Sequence, residues 1–179
     1  MTTTEYDETT MSDEEAEVFE EQSAEQQHAA ADNIVNQYTL GGMAVGLIPV
    51  PVADLVALVS VQLKMLHGLA GVYGIEFKAD LGRSAIASLV GSGLSTSLSP
   101  SLAASLGKFI PGVGQTLAMG SAVILNGAVT YAIGKVFIQH FAAGGTFLTF
   151  NPEAVRDYFA EQLKEGGKVA ADLKDKRKG

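Results

Sequence analysis

The sequence predicts an all-α protein: a multi-helix bundle of five or so helices, built around an apolar helical hairpin rich in glycine and serine. Three observations lead to this prediction. The 51 residues from Ser84 to Gly134 contain a single charge, Lys108. The chain has 20 glycines and no tryptophan, and small residues allow apolar helices to approach closely. The net charge of -8 comes from residues 1–25, which hold ten acids and no base, so the remaining body carries only +2.

The N-terminal part is predicted to be a disordered acidic tail followed by a helix. Residues 1–11 offer too little apolar surface to offset the entropy of ordering. Ser12 followed by Glu15 has the spacing of a capping box, which predicts a helix over 12–39. Its second half carries an apolar strip that would pack on the body, formed by Ile34, Val35 and Tyr38. A glycine pair, Gly41-Gly42, is expected to end this helix.

The next helix is predicted from two prolines and a glycine. Pro49 favours an extended backbone before it, whereas Pro51 suits the first turn of a helix that continues to about Tyr73. Gly74 then closes the helix, and the other apolar segments are expected to pack on it. Asp54 lies in its first turn, where the helix dipole favours a negative charge. A second interpretation of Asp54, a buried carboxylate on an ion or proton path, stays open but is less favoured.

A hairpin at about 81–141 is the centre of the predicted apolar domain, which covers 40–165. The two arms meet at a turn that contains Pro111 and Gly114. Serines follow one face of the first arm, at positions 84, 88, 92, 95 and 99. Glycines recur every seven residues along the second arm: Gly120, Gly127 and Gly134. The serine and glycine faces are complementary and predict close packing of the two arms. Val129, on the opposite face, is expected to tolerate a larger side chain.

The length of the hairpin also suits a membrane span. At ~1.5 Å per residue each arm is about 35–39 Å long, which exceeds the ~30 Å hydrocarbon core of a bilayer. Arg83 and Lys135 flank the two arms, so a spanning hairpin would have both ends in the cytoplasm.

The last helix is predicted to begin at Asn151, because an asparagine cap, a proline and an acid follow one another there. A face with Val155, Phe159 and Leu163 would dock on the body. Gly166-Gly167 is expected to end the helix, which leaves 166–179 as a basic tail. The bases of this tail would either contact an anionic membrane surface or simply be solvated, and solvation is favoured.

No catalytic, cofactor or metal site is predicted. Between Gly127 and Gly134 there are six residues where a phosphate loop has four, and Val136 replaces the Ser or Thr that would hold magnesium. The three histidines, His28, His67 and His140, are interpreted as isolated from any partner at metal-ligand spacing. Cysteine is absent, which excludes thiolate chemistry. The sequence contains no basic stripe with interleaved aromatic residues, the pattern that would predict nucleic-acid binding.

Five motifs together resemble a bacterial family, domain of unknown function 697. They are Ile48-Pro-Val-Pro-Val-Ala-Asp54, Gln62-Leu-Lys-Met65, Leu69-Ala70 with Tyr73-Gly74, Phe109-Ile-Pro111 with Gly114, and Tyr131-Ala-Ile-Gly-Lys135. The resemblance covers about 30–165 and implies a helical domain whose biochemical role is largely undefined. Members are often fused to or encoded near small GTPases, and some are inner-membrane proteins. The resemblance therefore implies a GTPase partner, since this chain contains no GTPase domain of its own.

Two classes of function follow. The first is a non-enzymatic accessory or scaffold protein on the cytoplasmic face of the bacterial inner membrane, which oligomerises or recruits a partner such as a small GTPase. The second is a cytoplasmic self-assembling bundle that buries its apolar arms in an oligomer, or a small pore lined by the serine face. Membrane lipid and a second copy of the chain are the expected partners.

Overall fold

The computed structural model describes residues 13–47, 51–97 and 114–176, with side chains described over 17–47, 56–91 and 122–176. This part of the chain forms five helices: α1 (Asp13–Val45), α2 (Pro51–Val72), α3 (Ala79–Ser97), α4 (Gly114–Ala142) and α5 (Arg156–Lys176). No strand occurs in the described ranges, and the all-α prediction is confirmed. The predicted tail at 1–11, Pro49, and the predicted turn at Pro111 lie outside the described residues.

The central helix of the bundle is α4. It packs against α1 and α5 and makes a smaller contact with α2. Nearly all of its described residues up to Phe141 are buried or partly buried. A helix that is apolar all round belongs in a core. Helices α1, α3 and α4 do contact α2, as expected, but the centre of the bundle is α4 and not α2. Val129 is only 7% exposed, so its predicted open position is wrong.

Helix α3 packs on α2 and α5 and only marginally on α4. The predicted pairing of the two hairpin arms through their serine and glycine faces is therefore wrong over the described residues. Ile86 and Leu89 form the buried face of α3. Ser84 is exposed, and the hydroxyl of Ser88 donates to the carbonyl of Ala85 on the same helix at 3.0 Å. Aliphatic packing thus decides which side of α3 faces the core.

Phenylalanines fill the core where α4 ends. The ring centroid of Phe137 lies 4.7 Å from that of Phe150, 5.4 Å from that of Phe141 and 5.6 Å from that of Phe147. Phe137 and Phe159 are both 0% exposed. Burial of one such side chain contributes about 1.5–3 kcal/mol to stability. This cluster therefore fixes the connection to α5, and with it the position of α5, against the end of α4.

Glycines in the left-handed conformation follow the ends of α2 and α4. Gly74 has a φ of +66° and Gly144 a φ of +80°. After α2, the N–H of Ile75 donates to the carbonyl of Ala70 at 2.8 Å. This is the hydrogen bond of a Schellman motif that spans six residues. Both predicted ends of α2 are confirmed, since the helix begins at Pro51 and is closed by Gly74.

Two glycine pairs that were expected to end helices lie inside them. Helix α1 continues through Gly41-Gly42 to Val45, and α5 continues through Gly166-Gly167 to Lys176. The predicted end of the first helix at 39 and the predicted start of the tail at 166 are therefore wrong. Neither pair has a positive φ. Gly42 and Gly166 are instead buried at contacts between helices, where the missing side chain permits close approach.

Candidate functional site

Helices α1 and α4 approach each other through glycines on both sides. A β-carbon added to Gly46 would lie 2.8 Å from the backbone of Val123, and one added to Gly42 would lie 3.0 Å from the backbone oxygen of Asn126. Gly42 and Gly46 are four residues apart, the spacing of small residues that lets apolar helices pack closely. We call these two residues, with Gly127 and Gly134, the glycine interface.

The predicted glycine groove of α4 faces α1 instead of α3. A β-carbon at Gly127 would lie 2.5 Å from Cγ of Met43, and one at Gly134 would lie 2.5 Å from Cγ2 of Val35. The groove therefore receives α1 side chains, a partner that the sequence analysis did not name. Gly114 and Gly120 belong to the first turns of α4, where side-chain surroundings are outside the described part.

Buried polar groups accompany this contact. Thr39 of α1 is 0% exposed and Gln62 of α2 is 2% exposed. Within the described structure, Oγ1 of Thr39 and Nε2 of Gln62 have no hydrogen-bond partner. The hydroxyl of Thr130, by contrast, donates to the carbonyl of Asn126 at 2.8 Å. A buried polar group without a partner costs about 1–3 kcal/mol. Thr39 and Gln62 therefore lower the stability of the core, whereas the hydrogen-bonded Thr130 does not carry this cost.

Lys135 makes the charged contact between α4 and α1. Its Nζ donates to Oδ1 of Asp32 at 2.7 Å and lies 5.8 Å from the ring centroid of Tyr131. Nε2 of His28 lies 3.8 Å from Oδ2 of the same aspartate. The interpretation of His28 as isolated is therefore wrong, because Asp32 lies one helical turn further on. We call Asp32, Lys135 and His28 the Lys135 cluster.

Two tyrosines lie close enough to this cluster to be affected by its charges. Burial raises the pKa of Tyr73 above its ordinary value of 10.0, with Asp32 raising it further and Lys135 lowering it. Burial also raises the pKa of Tyr158, against a lowering effect of Lys135. The hydroxyl of Tyr73 is buried and has no hydrogen-bond partner among the described residues. Both tyrosines therefore stay protonated at neutral pH.

The Lys135 cluster is suited to holding two helices together. Its side chains are partly shielded, with 21% of Lys135 and 34% of Asp32 exposed, so the pair is screened less than a surface ion pair. The described ranges contain no group of three or more residues arranged to ligate a metal. The side chain of Asp54 lies outside those ranges, so both interpretations of it stay predictions.

Among the described residues, one helical segment is long and apolar enough to cross a membrane: Ala122–Ala142 of α4. The rest of the bundle buries 67% of its apolar window. A membrane span and the core helix of a soluble protein share this length and composition.

Comparison with known proteins assigns the chain to a family. The family described as domain of unknown function (DUF697) matches residues 11–166. The chain belongs to this family. The match confirms the resemblance found in the sequence and includes both the glycine interface and the Lys135 cluster.

One relative of this DUF697 protein carries a descriptive name. The chain is 40% identical over 147 residues to "Magnetosome membrane protein 22" of Magnetospirillum gryphiswaldense, and the aligned region covers 82% of this chain and 75% of the relative. No solved structure matches the chain.

The sequence alone identified only some of the residues that make the helix contacts described above in the DUF697 protein. It named Gln62, Gly127, Gly134 and Lys135, but it missed Asp32 and Gly46. A signal existed for both, because Asp32 follows His28 by four residues and Gly46 follows Gly42 by four. Each spacing puts two residues on one helix face. The contact between Asp32 and Lys135 had no such signal, since 103 positions separate the two residues.

Proposed function

We propose that this DUF697 protein is a non-enzymatic, membrane-associated accessory or scaffold protein. The observation that carries the proposal is the distribution of charge. One charge occurs between Ser84 and Gly134, and one, Asp54, occurs between Leu40 and Leu63. Apolar segments of this length need either lipid or protein around them. The name of the relative, which calls that protein a membrane protein, supports lipid.

In this proposal the protein acts on the cytoplasmic face of the bacterial inner membrane, where it oligomerises or recruits a partner such as a small GTPase. The family resemblance supports such a partner, and the first half of α1 offers it an accessible surface. Side chains from 17 to 30 are all exposed. They include four acids and Phe19, which is 65% exposed.

One observation favours a second candidate, a soluble bundle that assembles with copies of itself. Because the described part of the fold already buries most of α4, the core does not require lipid to cover its most apolar helix. In this case the exposed side chains of Leu47, Val56 and Leu125 would be covered by another copy.

Cell fractionation tests the proposal. Membranes from cells that express the chain are washed with high salt and then carbonate, and finally extracted with detergent. We expect the protein to remain with the membranes through the salt wash and to be released by detergent. Complete recovery as a soluble monomer would contradict membrane association, and recovery as a large soluble oligomer would support the second candidate. A variant without residues 1–25 is the matched control, because it loses ten acids and should fractionate like the full chain.

A further inference from the structure

The outer face of α1 changes from charged to apolar along its length. Its described first half exposes Glu17, Glu20, Glu21 and Glu25. Uncharged amides follow on the exposed side: Asn33, Asn36 and Gln37. The remaining exposed residues of the helix and of the turn after it are all apolar: Leu40, Ala44 and Leu47. The exposed fraction of Leu47 is 55%. This gradient runs along the axis of one helix, so it separates two ends of the bundle rather than two faces.

Three other helices show the same gradient. Helices α2 and α4 run antiparallel to α1, so their apolar residues come first, whereas those of α3 come last. On α2, the first described side chain is Val56, which is 63% exposed, and the exposed side then carries Ser60 and Lys64. Helix α3 begins with exposed Asp80 and Arg83 and continues with exposed Ser84, Ala87 and Gly91. On α4, Leu125 is 38% exposed and the next exposed residue is Gln139.

The packing of the helices places these apolar residues at one end. Gly46, in the turn after α1, lies against Val123 of α4, and Gly41 of α1 lies against Val61 of α2. Leu47, Val56 and Leu125 are therefore at nearly the same level along the bundle, and we call them the apolar end. The Lys135 cluster lies towards the opposite end, where Gly134 contacts Val35. Of the other exposed large apolar residues among the described side chains, Leu40 lies about two helical turns before Leu47, and Val18, Phe19 and Leu148 lie away from the apolar end.

The chain outside the described ranges leaves from and returns to this same end. Residues 48–50 connect α1 to α2, and residues 98–113 connect α3 to α4. Together they contain one charge, Lys108. The sequence that joins the helices at this end is therefore poor in charge.

Helix α5 differs from the other four because charges line its outer side. Its C-terminal part reaches the apolar end, where Ala170 contacts Met43 of α1 and Leu173 packs beside them. Residues 168–178 hold five bases, Lys168, Lys174, Lys176, Arg177 and Lys178, against two acids, Asp172 and Asp175. Over the described residues 168–176 the three bases outnumber the two acids by one, and this net charge of +1 lies beside the apolar end, an arrangement that suits an anionic lipid surface.

We propose that the protein enters a lipid bilayer end-first, with the apolar end in the hydrocarbon and the end of α5 at anionic headgroups. The Lys135 cluster and the acidic half of α1 stay in water. This inference rests on the proposed membrane association and specifies which surface makes it. A second copy docked on the same end about a two-fold axis would bring the bases of two α5 helices together, and like charges oppose such a contact.

Single-cysteine labelling tests the orientation, and the absence of native cysteine makes every label unique. Leu47→Cys and Leu125→Cys report on the apolar end. Asn36→Cys and Gln139→Cys are matched controls, exposed on the same two helices towards the charged end. Each variant carries an environment-sensitive fluorophore and is mixed with phosphatidylcholine–phosphatidylglycerol vesicles that contain a lipid-chain quencher. We expect a blue shift and quenching for labels at 47 and 125, and unchanged emission at 36 and 139.

The outcomes separate this inference from the proposed function. If the protein floats with vesicles but all four labels are quenched alike, or only the controls are quenched, end-first insertion is overturned while membrane association stands. If no variant binds vesicles and the labels at 47 and 125 respond only as the protein concentration rises, a second copy occupies the apolar end. End-first insertion and membrane association are then both overturned.

The headgroup contact has its own test. Lys176→Gln is expected to weaken partitioning into the anionic vesicles about fivefold, the equivalent of ~1 kcal/mol per base near such a surface. Lys164→Gln removes the same charge from an exposed position on the same helix, about 18 Å nearer the charged end, and should change partitioning less than twofold. Equal effects of the two substitutions would show that α5 does not approach the headgroups through its C-terminal end.

Discussion

Gly166 of α5 lies directly against the backbone of α4 at Ala128. A β-carbon at position 166 would be 2.8 Å from the carbonyl oxygen of Ala128 and 3.0 Å from its Cα. At the neighbouring Gly167, a β-carbon would meet nothing within 4 Å. Two adjacent glycines in one helix therefore have opposite surroundings, and only the first is required by packing.

This difference predicts opposite effects of the same substitution. Gly166→Ala is expected to lower the free energy of unfolding by about 1–3 kcal/mol, because the new methyl overlaps backbone that cannot rotate away. Gly167→Ala is expected to raise it by about 0.5–1 kcal/mol, because alanine is the better helix former. Denaturant unfolding of the two variants in one buffer measures both. Changes of the same sign and size would show that α5 does not contact α4 at position 166.

The sequence predicted the helices well where the signal is local. Pro51 and Gly74 mark the two ends of α2 through their own backbone preferences, and both predictions are confirmed. The apolar faces that contain Val35 and Phe159 are buried as expected, since both residues are 0% exposed. Such signals involve residues within one or two turns, so one sequence can reveal them. The predicted helix start at Asn151 is wrong, because its side chain accepts from the N–H of Glu153 at 3.1 Å in a turn and α5 begins only at Arg156.

The partners of the helices were not predictable in the same way. A glycine suits the end of a helix, a turn or a close contact, and the sequence does not say which applies. Gly42 and Gly166 were assigned to helix ends, yet both lie at contacts with α4. Gly127 was correctly predicted to lie at a close contact between helices, but its neighbour is α1 and not α3. Which helix fills a groove depends on how all the helices pack together, and no local pattern encodes that arrangement.

Removal of residues 1–25 is expected to leave the bundle intact. Every described side chain from 17 to 30 is exposed, and the first buried residue of α1 is Ala31. We expect the free energy of unfolding to change by less than about 0.5 kcal/mol, as for other surface changes. Thermal melting followed by circular dichroism measures it. A longer deletion through Val35 is the contrasting control and should lower the melting temperature strongly. Strong destabilisation by the shorter deletion would show that Phe19 docks on the bundle.

The pair between Asp32 and Lys135 is expected to contribute more than an exposed pair of similar length. A double-mutant cycle with Asp32→Asn and Lys135→Met should give a coupling of about 1 kcal/mol, because the pair is partly shielded from water. The control pair is Lys168 and Glu165, which are 2.8 Å apart but 73% and 48% exposed.

For the control pair we expect a clearly smaller coupling, because both side chains are exposed to water. Urea unfolding of the single and double variants at low and high salt measures both couplings. Salt should weaken the exposed pair more than the shielded one. An equal coupling for the two pairs would show that Asp32 and Lys135 are solvated like surface residues.

Tyr73 and Tyr158 are expected to ionise above the pH at which tyrosines of the unfolded chain ionise. Burial raises the pKa of both from 10.0 in the folded protein. Below pH ~10 both states hold these protons, so the stability is unaffected. Above it the unfolded chain loses them first, so stability falls as the pH rises towards the folded-state pKa values. An absorbance titration of tyrosinate in the folded and in the denatured protein measures the difference in the pH of ionisation. Identical titration curves in the two states would contradict it.

Tyr73→Phe tests the buried hydroxyl that this titration reports. Removing a buried hydroxyl that has no hydrogen-bond partner should leave the melting temperature at neutral pH unchanged or raise it, because its desolvation cost of about 1–3 kcal/mol disappears. The variant should also lose one late-ionising group from the alkaline titration. Thr130→Val is the contrasting control, since that hydroxyl donates to Asn126 at 2.8 Å, and its loss should lower stability by about 1 kcal/mol. Destabilisation of Tyr73→Phe as large as that of Thr130→Val would show that the Tyr73 hydroxyl is hydrogen-bonded in the folded protein.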